Sequence, residues 1–414
     1  MKLINKLSIK DLRIIAEYLS ATRNEIAHDE YQISVINSPR KGFPTLPRPA
    51  KWIGTFGLHS KALNFLSFIL ILSWPALGWI YLIIESNKWR RKSNCVNICS
   101  DDEKTILALS ERSIEVVYSN FPESRCWKIF IPPWISSEVV VEADKLLKIS
   151  DLLSDSDYAR IMRLSVISHC LLNLRSEFKG WRLQSYTSWR WFCLRLAIER
   201  LPGPFVTTEH FDRWAVLVDV VVQEAKRNKR NKKLTLIQHG SVNAKSTASL
   251  NFALPTRLKS VDELWVYSIR DENVFRNEIL STRVGKISTC YFSSKIYLTP
   301  IIFQSGVSVL IVGHPLCEEF HILLAAQLRS RGAIRIYYKP HPVAPQSKKI
   351  NRLNWMVFCE KSKYPIVDVV VSYPSTLVEE YAAAGIPVVE HKMNAGKQDL
   401  AQIENSIFQH LRKK

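Results

Sequence analysis

Three short loops hold the residue types that group-transfer chemistry needs. The first is Gln238-His239-Gly240, directly after the apolar run Leu234–Ile237. A histidine there projects from the carboxyl edge of a sheet, titrates near neutrality and suits a general base toward a hydroxyl, and Gly240 allows a tight turn and close ligand approach. The second loop, Lys339-Pro340-His341-Pro342, follows the β-rich run Ile334–Tyr338. Pro342 stiffens it, so that His341 is pre-positioned to hold a phosphate, with Lys339 adding a point charge. The third, Ser372-Tyr373-Pro374-Ser375-Thr376, follows Val367–Val371 and opens a helix, with Ser375 or Thr376 at the cap and Glu379 and Glu380 in the first turns. A helix start of this kind binds anions. Ser372, Ser375 and Thr376 supply hydroxyl and amide donors, and Glu379 reaches toward a sugar hydroxyl. A diphosphate or phosphodiester leaving group needs such a set. The plainer readings are a turn histidine satisfied by backbone for His239 and a structural turn for His341. Two further loops join weakly: Gly313-His314-Pro315 after strand 307–312, and Thr207-Thr208-Glu209-His210 on the acceptor side.

The elements that must position these loops alternate between strand and helix. Thr105–Ala108, Ile114–Tyr118 and Trp127–Ile131 read as strands, followed by helices over 156–178 and 183–199. Strand–helix units then run through Phe205–Thr208, Asp212–Lys226, Leu234–Ile237, Glu263–Tyr267, Asp271–Leu280 and Val284–Thr289. A fresh series starts at Val307 and ends in helix Gln398–Leu411. This alternation predicts an α/β protein with two Rossmann-like domains facing one another across a cleft, ligands lying beyond the carboxyl ends of the strands. The expected divisions are 1–60 (an amphipathic helix Ile9–Ala27, buried through Leu12, Ile15, Ala16 and Leu19, then a linker), 61–92, 93–300 and 301–414. The chain contains no G-x-x-x-x-G-K-[ST] and no G-x-G-x-x-G, so ATPase and dinucleotide oxidoreductase readings lack their phosphate loops. No acidic DxD pair ends a convincing strand, so no divalent metal is needed.

With 57 Lys and Arg against 38 Asp and Glu, the formal net charge of the 414 residues is +19. The sharpest basic run is 226–233. Such an excess suits nucleic acid, an anionic membrane surface or phosphate-bearing substrates, and a solvated helix end is the bland alternative. Nucleic acid is disfavoured, because no recognised module or aromatic-interleaved basic platform is present. The eight cysteines stand in apolar contexts without a metal-binding spacing, which predicts reduced, mostly buried thiols and no zinc. Residues 62–84 form an uncharged apolar run long enough to cross ~30 Å of hydrocarbon, flanked by Lys88, Arg90, Arg91 and Lys92. Pro75 and Gly78 permit a kink or a re-entrant hairpin, so membrane association is expected without one clean crossing. A buried core helix is the alternative.

The motifs LIQHG (236–240), LIVGHPLCEE (310–319), YYKPHP (337–342) and SYPSTLVEEYAAAGIPVV (372–389) resemble bacterial GT-B transferases that build surface polysaccharides. That set comprises capsule polysaccharide (Kdo) transferases, teichoic-acid glycerophosphotransferases and bacterial sialyltransferases, and the resemblance covers residues 203–390. It implies that His341, Ser375 and Thr376 bind the nucleotide of a CMP-linked donor and that His239 lies at the catalytic centre. Gln-His-Gly in place of an acidic pair before glycine points away from sialic acid, toward Kdo-like, glycerol-phosphate or other CMP- or CDP-linked donors. The expectation is a metal-independent glycosyltransferase of capsule or lipopolysaccharide biosynthesis at the cytoplasmic face of the inner membrane. Its partners are a nucleotide-activated sugar, as substrate rather than cofactor, and a lipid-linked or polysaccharide acceptor. A glycerophosphotransferase and a catalytically silent membrane scaffold are the rivals.

Overall fold

The computed structural model describes residues 8–36, parts of 73–88, most of 103–175 and most of 188–412; residues 37–72 and 89–102 lie outside the described set. The chain divides into two compact units. Unit 1 comprises Met1–Ser34, Ser38–His239 and Ala248–Tyr291, and unit 2 comprises Val35–Asn37, Gly240–Thr247 and Phe292–Lys414. The main division thus falls between Tyr291 and Phe292, ahead of the expected 300/301.

Unit 1 is built on a seven-stranded sheet of β1 (Thr105–Leu107), β2 (Lys128–Phe130), β3 (Leu146–Leu147), β4 (Phe205–Thr207), β5 (Leu234–Ile237), β6 (Glu263–Val266) and β7 (Ser288–Tyr291). Every pair is parallel and the order is β3-β2-β1-β4-β5-β6-β7. The direction of travel therefore reverses between β1 and β4, the position where open α/β sheets bind ligands beyond their carboxyl ends. Residues 114–118, expected as a strand, lie in a helix, Ser113–Asn120. Its β-branched residues favour a strand locally, but β1 and β2 are parallel and need a crossover between them.

The first helix, α1 (Ile9–Ile36), is part of unit 1 rather than a separate segment. Its buried face runs through Asp11, Ile14, Ile15, Tyr18, Leu19 and Thr22, while Leu12 and Ala16, expected inside, are exposed. Polar partners set that rotation. Asp11 accepts from Arg160 and Arg163 of the next long helix, which follows the Ser113–Asn120 helix α2 and is labelled α3 (Asp155–Leu174). Tyr18 packs edge-on against Trp191 of α4 (Ser188–Arg200). The fully buried Arg195 of α4 is bound by Glu17 of α1 at 3.0 Å, Glu199 at 3.1 Å, and Glu224 of α5 (Arg213–Arg227).

Two of the basic residues in 226–233 are engaged inside the protein. Lys226 Nζ lies 2.6 Å from Asp262 Oδ1. The buried Lys232 donates to the carbonyls of Leu201 at 2.6 Å and Glu199 at 3.1 Å, closing the C-terminus of α4, where a cation offsets the helix dipole. The apolar run 62–84 lies largely outside the described residues. Its described end is helical over 82–88: Leu82 and Glu85 face inward, Glu85 accepting from Arg190 Nε at 3.0 Å and Nη2 at 2.9 Å, while Trp79, Ile80, Ile83 and Ile84 are exposed. No helix among the described residues is long and apolar enough to cross a membrane.

Unit 2 holds a small pair, β8 (Leu298–Thr299) with β12 (Tyr364–Pro365), and a five-stranded parallel sheet. The sheet contains β9 (Val307–Val312), β10 (Ile334–Lys339), β11 (Met356–Val357), β13 (Val369–Ser372) and β14 (Val388–Glu390), in the order β11-β10-β9-β13-β14. Alternate residues of β9 enter opposite cores. Val309 and Ile311 pack with Leu324 and Leu328 of α6 (Glu318–Ser330) and Ile407, whereas Leu310 and Val312 pack with Tyr337, Val370 and Tyr381. A sheet buried on both faces explains the continuous apolar strands, each fully buried aliphatic side chain contributing about 1.5–3 kcal/mol. The order again reverses between β9 and β13, and the following helices α7 (Thr376–Ala383) and α8 (Leu400–Leu411) complete the unit.

Candidate functional site

In unit 1 the residues at the reversal are Ser110 and Ser113 after β1 and Thr208, Glu209 and His210 after β4, with His239 after the adjacent β5. The His239 ring donates from Nδ1 to the Thr208 carbonyl. Because a carbonyl only accepts, the proton sits on Nδ1 and the Nε2 lone pair is available as a base. The His239 backbone N–H donates to His210 Nε2 at 3.0 Å, and the two rings lie 4.4 Å apart. Burial, with Arg112 nearby as a second cause, pulls His239 down to about 4. Burial first and His239 second hold the fully enclosed His210 well below the ordinary imidazole range. Both rings are neutral at pH 7.

Behind them lie two carboxyl groups. Glu209 is buried and receives the Ser113 hydroxyl at 3.4 Å, and Ser113 also meets Thr208 Oγ1 at 2.9 Å. Asp212 caps α5, accepting from Trp214 N at 3.0 Å and Ala215 N at 2.8 Å. Burial raises the pKa of both, and the charge of Glu209 raises Asp212 further, so the pair retains a proton that an isolated carboxylate would shed. The sequence alone gives Thr207–His210 only a lining role and does not point to Arg112, Ser110, Ser113 or Asp212. The signal available was the position of 108–113 at the end of the first strand of a doubly wound sheet. Gln238 is fully buried, and its side-chain oxygen accepts from Tyr267 N at 2.9 Å, which makes it a clasp between β5 and the loop after β6.

In unit 2 the loops after β9, β10 and β13 bring His314, His341 and Tyr373 together. The His314 ring lies 5.3 Å from that of His341 and 4.7 Å from that of Tyr373. His314 Nδ1 accepts from Leu316 N at 3.3 Å, so its Nε2 carries the proton. Burial, then the neighbouring imidazoles of His341 and His391, lowers His314 to about 3, and burial lowers His341 as well. His341 is therefore a neutral imidazole, able to donate or accept one hydrogen bond. Lys339 is corrected: its buried ammonium donates to Lys363 O at 2.8 Å and sits 4.5 Å over the Tyr364 ring, because its side of β10 faces that core.

Ser372 is buried, its hydroxyl donating to Tyr373 O at 2.7 Å and lying 3.0 Å from Ser375 Oγ. Ser375 occupies the N-cap position of α7 in an extended conformation, yet its side chain makes no capping hydrogen bond. The first-turn amides thus lack a side-chain cap beside the hydroxyls of Ser375 and Thr376, the arrangement an incoming anion completes. Glu379 is half-buried in the first turn of α7. Pro342 lies outside the described residues. Among the described glycines, positive φ occurs at Gly306, Gly332 and Gly385, so neither Gly240 nor Gly313 serves a left-handed turn. At Gly313 the requirement is space, since a Cβ would overlap the Tyr338 ring and hydroxyl.

No protein-family profile and no curated protein matches this chain. Among solved structures it is similar to an α,α-trehalose-phosphate synthase (UDP-forming) from Burkholderia vietnamiensis, with 11% identity, a TM-score of 0.39, and coverage of 74% of this chain and 91% of that one. It is also similar to the corresponding enzyme from Burkholderia xenovorans in complex with glucose-6-phosphate, with 13% identity, a TM-score of 0.37, and coverage of 75% and 91%.

Proposed function

We propose that the protein is a glycosyltransferase of the GT-B type that takes its sugar from a nucleotide-activated donor, CMP- or CDP-linked, in bacterial surface-polysaccharide synthesis. The observation that carries this reading is the set of groups at the strand-order reversal of unit 2. Three loops place two neutral imidazoles, a tyrosine, paired serine hydroxyls and a helix start without a side-chain cap at the carboxyl edge where mononucleotides bind. Such a site neutralises a departing phosphate by hydrogen bonds and backbone dipoles rather than by fixed charge. Removal of one donor of this type costs ~3 kcal/mol in transition-state stabilisation.

In this reading the carboxyl edge of unit 2 holds the donor phosphate. His239 Nε2 takes the proton of an acceptor hydroxyl, with the Nδ1–H bond to Thr208 O fixing the tautomer. The acceptor is lipid-linked or polymeric, and the exposed Trp79, Ile80, Ile83 and Ile84 support contact with the cytoplasmic membrane surface, beside the basic stretch 88–92.

The test is a donor panel (CMP-Kdo, CDP-glycerol and UDP-sugars) incubated with the protein and vesicle-borne lipid-linked acceptors, with released nucleotide as readout. Release with a CMP- or CDP-sugar is the expected outcome. Release with CDP-glycerol alone replaces the sugar by glycerol phosphate. Absence of both turnover and nucleotide binding overturns the enzyme reading in favour of a scaffold.

A further inference from the structure

A cluster of metal-ligand side chains lies in unit 2 directly beside the loop after β9, Cys317 N donating to His314 O at 2.9 Å. Cys317 stands at the start of α6 and His321 is four residues on, so both occupy one helix face. His391 directly follows β14, its backbone N–H bonded to Ser372 O at 2.9 Å. The Cys317 sulfur and one ring nitrogen of each histidine lie within 4.8 Å of one another, and all three residues are buried. His321 Nε2 and His391 Nε2 face each other at 3.0 Å.

Proton placement shows how these atoms are disposed. His391 Nδ1 donates to Lys392 O at 2.9 Å, which leaves its Nε2 as a lone pair aimed at His321. An outer N–H held by a backbone carbonyl is the arrangement that orients a metal-ligating histidine. In the absence of a cation, His321 Nε2–H must donate to His391 Nε2, and His321 Nδ1 is then a buried acceptor without a hydrogen-bond partner. Cys317 Sγ rests 3.4 Å from Met393 O. Phe320 packs on His391 at 4.8 Å and Tyr338 on His321 at 6.0 Å, which gives the site an aromatic wall.

We propose that Cys317, His321 and His391 form a zinc site, bound through Sγ and the two Nε2 atoms, that fastens the start of α6 to the segment after β14. One thiolate and two imidazoles match the ligand preference of zinc, with a fourth position left for water. Binding is balanced by protons: the Cys317 thiol releases one to solvent, and the His321 proton moves from Nε2 to Nδ1. The proposal does not depend on the transferase reading.

The full chain, purified without chelator or immobilised-metal chromatography, is titrated with Co2+ and then with Zn2+. A single equivalent of Co2+ is expected to produce a thiolate-to-cobalt charge-transfer band and tetrahedral d–d bands, all abolished by Zn2+. Cys317→Ala is expected to lose the charge-transfer band while still unfolding cooperatively, and His391→Gln to weaken Co2+ binding at least tenfold. If the wild-type chain gives no band, the cluster is only an imidazole–imidazole hydrogen bond and the proposal fails. It fails also if the charge-transfer band survives in Cys317→Ala, since another cysteine is then the ligand. Should either variant not fold, the wild-type titration decides alone.

Discussion

The loops after β1, β4 and β5 of unit 1 and those after β9, β10 and β13 of unit 2 stand at the same kind of place, the carboxyl edge where strand order reverses. Their chemistry differs. Unit 1 sets two imidazoles against a carboxyl pair, the buried Glu209 and the half-buried Asp212, whose pKa values are raised. Unit 2 sets imidazoles against hydroxyls, a tyrosine and a helix start, with His314 and His341 lowered. The first suits proton transfer and the second suits an anion. In neither cluster are the histidines charged at pH 7, although the chain carries a formal +19. The net charge is therefore a poor guide to these edges, whose histidines are kept neutral by burial.

The contrast is testable by separating rate from affinity. His239→Ala is expected to lower turnover by about 10²–10⁴-fold while leaving the dissociation constant of the donor nucleotide unchanged. If affinity moves and turnover does not, the two edges have been assigned the wrong way round. His341→Ala and Ser375→Ala, tested one at a time, are each expected to weaken nucleotide binding about tenfold, the loss of a hydrogen bond of ~1.4 kcal/mol to a charged phosphate. Calorimetric titration with CMP and CDP reads this directly, and unchanged binding in both variants removes the donor assignment from unit 2.

A smaller effect sharpens the comparison through pH. His239 is lowered from 6.5 to about 4, so between these values the unfolded chain binds more protons than the folded one. Its contribution is complete above pH 6.5 and is lost as pH falls toward 4. Glu209 and Asp212, raised, behave in the opposite sense: they favour the fold at low pH, and that contribution is lost as pH rises through their folded values. Relative to wild type, Glu209→Gln should therefore gain stability as pH rises from 5 to 8, by urea denaturation, whereas His341→Asn should gain as pH falls. Parallel curves for the two variants would show that the edges do not differ in acid–base character.

Much of the sheet framework was legible in the sequence because buried parallel strands are short apolar runs with polar loops after them. Leu234–Ile237 and Gln238-His239-Gly240 lie where alternation puts them. Ser113–Asn120 was misread because Ile114, Val116 and Val117 favour a strand locally, while the need for a crossover is a property of the whole sheet. The direction of Lys339 was hidden for a related reason: residue type predicts a charge, but the register of β10 decides which core it meets. Lys226 and Lys232 looked like part of a surface patch and are a salt-bridge partner and a helix closure. The Cys317–His321–His391 cluster left only half a signal, since Cys317 and His321 share a helix face but the two histidines are 70 residues apart.

The arrangement around Arg195 has a practical consequence for anyone shortening the chain. One of the three carboxylates that offset this guanidinium, Glu17, comes from α1, and Glu224 also binds Arg13 of the same helix. Deleting the first thirty-six residues, however peripheral they look on paper, would remove one counter-charge and disturb another beside a cation that has no access to water. Expression trials that aim for a minimal soluble fragment should accordingly keep the amino-terminal helix intact.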